Sequence, residues 1–195
     1  MYKLGLTGSI GMGKSTTAQM FRDLGIPVWD ADATVHKLYS GGAAVSAIAA
    51  LYPHAIRDGS VDRAALKQLI AEDPTILKKL EGIVHPLVAQ DRADFLANAA
   101  SDIVVFDIPL LFETRADEWL DSVLVVSVPA EVQEERVLAR GTMTKAEFEM
   151  IRSRQMPDAE KRERADHVIQ TLTLDGTRAD VANLVTKIRE GLADA

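Results

Sequence analysis

No cysteine occurs in the chain of 195 residues, which excludes disulfide bonds and zinc sites built on thiolates. No apolar run approaches the ~20 residues that a membrane-spanning helix needs, and a strand-like stretch already begins at Tyr2. We therefore expect neither a membrane span nor a signal peptide, and predict a cytoplasmic protein.

Positive charge is also in short supply. The 22 Lys and Arg residues are outnumbered by 29 Asp and Glu residues, which gives a formal net charge of −7. Proteins that bind nucleic-acid phosphates usually carry a basic surface, so we expect no nucleic-acid partner. We predict a monomer or a small homo-oligomer.

Five short apolar runs recur along the chain, with helical stretches between them. They are "YKLGLT" (2–7), "IPVW" (26–29), "DIVVF" (102–106), "SVLVVSV" (122–128) and "HVIQ" (167–170). Runs that are almost continuously apolar are typical of strands buried on both faces of a parallel sheet. Strands alternating with helices give an α/β fold, so we predict a five-stranded parallel sheet with flanking helices.

A phosphate-binding motif lies between the first strand and the first helix. "GSIGMGKS" (8–15) matches G-x-x-x-x-G-K-[ST], in which backbone N–H groups surround the phosphates of a nucleoside triphosphate. Lys14 is expected to reach the outer phosphates, and the Ser15 hydroxyl to bind Mg²⁺. The predicted nucleotide-binding residues are Gly8, Ser9, Ile10, Gly11, Met12, Gly13, Lys14, Ser15 and Thr16.

The second and third predicted strands are separated by far more chain than one crossover helix needs. We predict that residues 32–100 form an inserted helical subdomain, which is either scaffold or a binding unit for a second substrate. Asp62 is expected to cap one of its helices, and Pro74 and Pro86 are expected to occupy the first positions of two others.

A second insertion, residues 136–164, is rich in basic residues. It contains eight Arg or Lys and five Asp or Glu, and a capping box begins a helix at Thr144. Such a segment is either a solvated helix face or a lid that brings cations over a polyphosphate, and the phosphate-binding loop favours the lid. The nucleotide-binding core then comprises residues 1–31, 101–135 and 165–195.

Three carboxylates follow predicted strands. Asp30 and Asp32 follow the second strand, where they either orient an acceptor hydroxyl or a Mg²⁺-bound water, or cap the next helix. Asp107 ends the third strand and is followed by "IPLLFE" (108–113), whose apolar side chains either contact an organic substrate or pack in the core. The guanine motif Asn-Lys-x-Asp is absent, because Asn98 and Asn183 are followed by Ala and Leu, which excludes an ordinary GTPase.

Taken in order, these segments resemble the dephospho-CoA kinase family over nearly the whole chain. The resemblance rests on "GLTGSIGMGKS" (5–15), "DLGIPVWDAD" (23–32), "VDRAALKQLI" (61–70), "LEGIVHP" (80–86), "FDIPLLFE" (106–113) and "RQMPDAEKRERADHVI" (154–169). It implies a P-loop kinase with a helical substrate subdomain and a lid, which uses ATP and Mg²⁺ to phosphorylate the ribose 3′-hydroxyl of dephospho-CoA.

The resemblance also assigns roles to residues. It implies that Asp32 is the base and that Arg140 is a lid arginine, while the motif itself predicts Lys14 as a catalytic residue that holds the outer phosphates. The position after the second strand predicts Asp30 as a substrate-binding residue, and the resemblance implies Asp32, His85, Asp107, Pro109, Leu110, Leu111, Phe112 and Glu113. Two other interpretations stay open from the motifs alone: a kinase for a different small molecule, and a nucleotide-dependent regulatory module.

Overall fold

The computed structural model describes residues 1–194. In that range the strands are β1 (Tyr2–Thr7), β2 (Val28–Asp30), β3 (Ile56–Arg57), β4 (Ser60–Val61), β5 (Ile103–Asp107), β6 (Ser122–Ser127) and β7 (His167–Gln170). The α-helices are α1 (Lys14–Asp23), α2 (Ala31–Tyr39), α3 (Ala43–Leu51), α4 (Arg63–Glu72), α5 (Thr75–Asn98), α6 (Ala130–Ala139), α7 (Lys145–Ser153), α8 (Asp158–Arg164) and α9 (Leu174–Ala193).

The chain folds into two compact units. The first comprises Met1–Trp29 together with the chain from Ala100 onward, and the second comprises Asp30–Ala99. The segment 136–164, which the sequence predicts as a lid, belongs to the first unit and contains the end of α6 with α7 and α8.

Five strands form one parallel sheet in the order β2-β5-β1-β6-β7, which confirms the predicted fold class. The central strand β1 pairs with β5 on one side and with β6 on the other. Since these strands run in the same direction, the segments that follow β1, β5, β6 and β7 leave the sheet at one edge. Ligands of open α/β sheets bind at that edge.

Burial explains why the predicted strands form. Every residue of β5 and of β6 is buried, as expected for strands covered on both faces. Phe21 of α1 and Val181 of α9 pack in the same cluster as Leu4 and Leu124 of the sheet. Burying one such side chain stabilises the fold by about 1.5–3 kcal/mol, so this cluster is a major source of the first unit's stability.

The second unit is helical, and its longest helix corrects one prediction. Pro86 does not begin a helix: it lies inside α5, a single helix of 24 residues. An interior proline costs about 3 kcal/mol, but Ile76, Leu80 and Val84 before it and Leu87 after it belong to or pack against one apolar cluster. Burial along this continuous face therefore outweighs the local preference. Neither α5 nor any other helix within residues 1–194 is long and apolar enough to cross a membrane.

A small hairpin in the second unit was not predicted. Strands β3 and β4 pair antiparallel, with Arg57 opposite Ser60. Between them, Asp58 and Gly59 have φ values of 49° and 74°, and such consecutive positive values characterise a type I′ turn. The Asp-Gly pair was the available sequence signal.

Candidate active site

The phosphate-binding loop connects β1 to α1 and has the backbone of an anion site. Gly11 and Gly13 have φ values of 81° and 88°, in the left-handed region that glycine adopts most readily. Gly13 is the N-cap of α1, and within the described chain no side chain caps that helix. The first N–H groups of α1 thus have neither intrahelical nor side-chain acceptors, and they lie at the positive end of the helix dipole. This arrangement suits a phosphate group.

The loop glycines are also required by their protein neighbours. A β-carbon on Gly8 would lie 2.6 Å from Val126 Cγ2, and one on Gly13 would lie 2.7 Å from Thr171 Oγ1. Atoms do not approach that closely, so any side chain there would push the loop away from β6 or from the segment after β7. The motif therefore fixes the loop against the protein as well as leaving room for a ligand.

Lys14, the lysine of the motif, forms an ion pair with Asp107 at the end of β5. The Lys14 side chain is 17% exposed and that of Asp107 is 2% exposed. A carboxylate so deeply buried requires an opposite charge or hydrogen bonds. The structure thus brings together two residues that the sequence assigned separately to the nucleotide and to the acceptor.

Ser15 and Thr16 are exposed in the first turn of α1. Mg²⁺ in phosphate sites takes only one or two protein oxygens, and phosphate and water supply the others. The exposed Ser15 hydroxyl fits that pattern. Among residues 1–194 there is no group of three or more His, Cys, Asp or Glu side chains that would bind a metal ion without a nucleotide.

Two glutamines from other segments hold the middle of the loop. Gln133 Nε2 of α6 donates to the Ile10 carbonyl at 2.7 Å, and the Ile10 N–H donates to Gln155 Oε1 at 3.2 Å. Both peptide groups of Ile10 are therefore anchored by protein side chains. The sequence analysis missed both glutamines: Gln133 belongs to no motif, and Gln155 was quoted only as part of the segment 154–169 without a role of its own.

A third anchor comes from the segment after β7. Thr171 Oγ1 donates to the Met12 carbonyl at 2.8 Å, and Arg136 donates to the Thr171 carbonyl at 2.6 Å and to the Leu172 carbonyl at 3.3 Å. Arg136, Thr171 and Leu172 line a cavity of about 100 Å³ beside Gly13. Arg136 was counted in the sequence only as one of the basic residues of the predicted lid, yet its guanidinium organises the backbone next to the loop.

The segment after β5 divides into buried and exposed residues. Leu111 and Phe112 are buried in the core, whereas Leu110 is 42% exposed. Pro109 accepts a hydrogen bond from Thr7 Oγ1 at 3.1 Å through its carbonyl, which ties this segment to the end of β1. Of the two interpretations of "PLLF", the structure supports core packing for Leu111 and Phe112 and leaves Leu110 available for contact with a ligand.

Glu113 ends this segment and connects it to the predicted lid. Its Oε1 accepts a hydrogen bond from the Met156 N–H at 2.8 Å and lies 3.0 Å from Lys161 Nζ. Partial burial raises the pKa of Glu113, but the Met156 N–H and the Lys161 ammonium outweigh this effect, so its pKa lies below the usual range. Glu113 is therefore held as a carboxylate.

The other predicted catalytic and substrate residues are Asp30, Asp32 and His85 in the second unit and Arg140 in the first. In the second unit, Asp30 caps α2 by accepting from the Ala33 N–H at 2.9 Å. The cap is thus Asp30 and not Asp32, which is exposed in the first turn and makes no hydrogen bond or ion pair within the described chain. Arg140, in the first unit, is exposed at the C-cap of α6.

His85 lies within α5 and is exposed, so it does not begin or cap a helix. It lines a mainly apolar cavity of about 310 Å³ inside the second unit, whose other lining residues are Tyr39, Arg63, Leu66, Lys67, Ile70, Leu77, Leu80, Glu81 and Val84. Burial raises the pKa of the Tyr39 phenol, although the Arg63 guanidinium 5.5 Å above its ring acts in the opposite direction.

The comparisons with known proteins agree with this geometry. The family model described as dephospho-CoA kinase matches residues 2–175. A dephospho-CoA kinase from Ruegeria pomeroyi is 60% identical over 191 residues, which cover 97% of each chain. A crystal structure of a Thermus thermophilus protein superposes with a TM-score of 0.83 at 36% identity, covering 95% of this chain and 97% of that one.

A dephospho-CoA kinase structure from Campylobacter jejuni also matches, with a TM-score of 0.69 and 25% identity over 97% of this chain and 98% of its own. The family model and the curated relative each extend over most of the sequence, including the phosphate-binding loop, the segment after β5 and the helical unit. The chain belongs to the dephospho-CoA kinase family.

Proposed function

We propose that this protein transfers the γ-phosphoryl group of ATP to the ribose 3′-hydroxyl of dephospho-CoA, and releases coenzyme A and ADP. Family membership supports the reaction. The observation that carries it is the pairing of Lys14, at the phosphate-binding helix start, with the buried Asp107. In this pair the Lys14 ammonium is held at the start of α1, where the γ-phosphate of a bound triphosphate would lie.

On the donor side, the uncapped N–H groups of α1 would hold the β- and γ-phosphates, and Lys14 would neutralise charge on the transferred group. Ser15 would hold Mg²⁺, which supplies further charge neutralisation between those phosphates when it is bound. Asp107 would orient Lys14 throughout, because its buried carboxylate favours a cation beside it. Little covalent chemistry is required of the protein, so positioning and electrostatics account for most of the catalysis.

On the acceptor side, we propose that Asp32 accepts the proton of the ribose 3′-hydroxyl. As the hydroxyl oxygen bonds to the γ-phosphorus, the bond from that phosphorus to the β,γ-bridging oxygen breaks, and ADP leaves with the electron pair. Asp32 is suited to this role because its carboxylate is exposed and not engaged elsewhere in residues 1–194. Asp30 is less suited, since its carboxylate already caps α2.

We further propose that Arg140 and other cations of the segment 136–164 stabilise charge on the transferred group, and that this segment acts as a lid. Of the predicted substrate residues, Leu110 and His85 would contact dephospho-CoA through their exposed side chains, whereas the buried Leu111 and Phe112 would support the segment after β5 from the core. Excluding water matters to a kinase, because water would otherwise compete as the acceptor. The cytoplasmic location, the absence of a nucleic-acid partner and the monomer or small homo-oligomer stay predictions.

Mass spectrometry of the products tests the proposal. Purified protein with ATP, Mg²⁺ and dephospho-CoA should yield coenzyme A and ADP in equal amounts, whereas a nucleoside monophosphate or a sugar acid offered as acceptor should not be phosphorylated. Lys14→Ala is the control, because it should lose at least ~10²-fold in kcat. Phosphorylation of another acceptor with no product from dephospho-CoA would refute the assignment.

A further inference from the structure

Two consecutive residues between α7 and α8 contact two different parts of the site. The Gln155 side chain accepts a hydrogen bond from the Ile10 N–H of the phosphate-binding loop at 3.2 Å. The backbone N–H of the next residue, Met156, donates to Glu113 at 2.8 Å. The path between these two anchor points runs through the Gln155 side chain and a single peptide group, so the loop and the segment after β5 are joined by a short connection.

Lys161 reinforces the second anchor point. Its side chain is completely buried, and its Nζ lies 3.0 Å from the same Glu113 oxygen that accepts from Met156. Within the described residues, Nζ makes no well-aligned hydrogen bond, so the interaction with Glu113 is chiefly electrostatic. A buried ammonium ion requires an opposite charge. Glu113 is therefore held in place by Lys161, and Lys161 is kept in the interior by Glu113.

We propose that Gln155, the Met156 N–H, Glu113 and Lys161 form a brace that sets the spacing between the phosphate-binding loop and the acceptor-side segment Asp107–Glu113. Gln155 and Lys161 are positioning residues in this brace. Its role in phosphoryl transfer rests on the proposed function, whereas the mechanical coupling between the two segments does not. A misplacement of about 1 Å between reacting groups costs on the order of 10²-fold in rate, so such a brace would act on kcat.

A pair of charge-matched variants separates this coupling from ordinary stabilisation. Glu113→Gln with Lys161→Met removes both charges but keeps an acceptor for the Met156 N–H. Glu113→Ala with Lys161→Met removes the same charges and also the acceptor. Neither variant leaves a buried charge unpaired, and replacing a buried ion pair by neutral groups is often tolerated, so both are expected to fold. Gln155→Ala, which removes the loop anchor itself, is the positive reference.

The first measurement is hydrogen exchange of a peptide covering residues 8–13 in the unliganded protein, relative to a peptide from β6. Gln155→Ala and the Glu113→Ala double variant should each speed loop exchange roughly fivefold, the effect of about one hydrogen bond. The Glu113→Gln double variant should stay within about twofold of wild type. Arg189→Met is the control, because it breaks an ion pair with Asp102 at the opposite end of β5 and should leave loop exchange unchanged.

Equal loop exchange in the two double variants would refute the coupling, whatever the protein phosphorylates. The second measurement is kcat at saturating ATP and dephospho-CoA. The Glu113→Ala double variant should lose a further ~10-fold or more relative to the Glu113→Gln double variant, with KM for ATP changed less than about threefold. Altered loop exchange with equal kcat would refute the positioning role. Failure of the wild type to phosphorylate dephospho-CoA would refute the proposed function and leave the exchange result standing.

Discussion

The buried pair of Lys14 and Asp107 allows stability and catalysis to be separated in one experiment. We consider Lys14→Met, which keeps the side-chain volume and removes the charge. Breaking a buried ion pair by removing one partner costs about 3–5 kcal/mol, because a buried charge loses its compensation. Asp107 makes at least one further interaction, so we place the cost at about 3 kcal/mol.

For a chain of this length, 1 kcal/mol shifts Tm by about 2–4 °C, so Lys14→Met should melt about 6–12 °C below wild type. Adding Asp107→Asn removes the uncompensated charge and should recover at least half of that loss. Turnover should not recover, because the cation for the phosphoryl group is still missing, and kcat should remain reduced by at least ~10²-fold in both variants.

The assays are a thermal melt and single-turnover kinetics on the same preparations. Lys3→Met is the matched control. Lys3 lies on β1, the strand that leads into the phosphate-binding loop, but its ion pair with Asp121 is partly exposed and its two charged atoms are 3.9 Å apart. Such a pair is worth at most about 1 kcal/mol, and the hydrogen bond from Lys3 Nζ to the Trp119 carbonyl contributes about 1 kcal/mol more, so Lys3→Met should lower Tm less than Lys14→Met and leave turnover unchanged. An unchanged Tm in Lys14→Met would show that the buried pair is not formed in solution, and near-normal turnover would refute the loop assignment.

Three further predictions address other residues. Asp32→Asn should keep Tm within a few degrees of wild type but lose ~10²–10⁴-fold in kcat, and normal turnover of this variant would refute the role of Asp32 as base. Asp30→Ala should instead lower Tm, because it removes a helix cap worth about 1 kcal/mol. Arg136→Met should raise KM for ATP with a smaller change in kcat, measured by steady-state kinetics; an unchanged KM would show that its hydrogen bonds to the segment after β7 do not shape the nucleotide site. Burial lowers the pKa of His167, an effect that Asp166 opposes and Lys187 assists. Just below pH 6.5 the unfolded chain therefore binds more protons than the folded one, and the free energy of unfolding should fall as the pH drops through that range. In denaturant titrations His167→Gln should flatten this pH dependence, and an unaltered slope would contradict the prediction.

Local chemistry made part of this structure predictable. The strands β1 and β7 begin and end where their predicted runs do. The last four residues of β1 are buried, as expected for a strand covered on both faces, whereas β7 lies at the sheet edge and buries only Ile169. Asp62 caps α4 as predicted, accepting from the N–H groups of Ala64 and Ala65. Each of these features depends on residues close together in the sequence.

The features that the sequence did not predict depend on tertiary packing. Nothing near Pro86 indicates that α5 continues through it, because the compensation comes from the apolar cluster of the second unit. In the same way, the pairing of Lys14 with Asp107 requires β1 and β5 to be neighbours, and the contact of Glu113 with Lys161 requires α8 to pack near the segment after β5. From the sequence, Lys14, Asp107 and Glu113 were predicted as site residues and Lys161 was counted among the basic residues of the segment 136–164, but none of them was predicted to pair with another.

The anchors of the phosphate-binding loop have a consequence for catalysis. Its peptide groups are held by Gln133, Gln155 and Thr171, and its glycines fit closely against neighbouring residues. A loop held by such protein contacts needs fewer ligand interactions to order it. More of the binding free energy of the triphosphate is then available to stabilise the transferred phosphoryl group in the transition state. Only interactions that are stronger in the transition state than in the ground state accelerate the reaction. We therefore expect substitutions at these anchors to lower kcat through the loop even though none of the three side chains belongs to the motif.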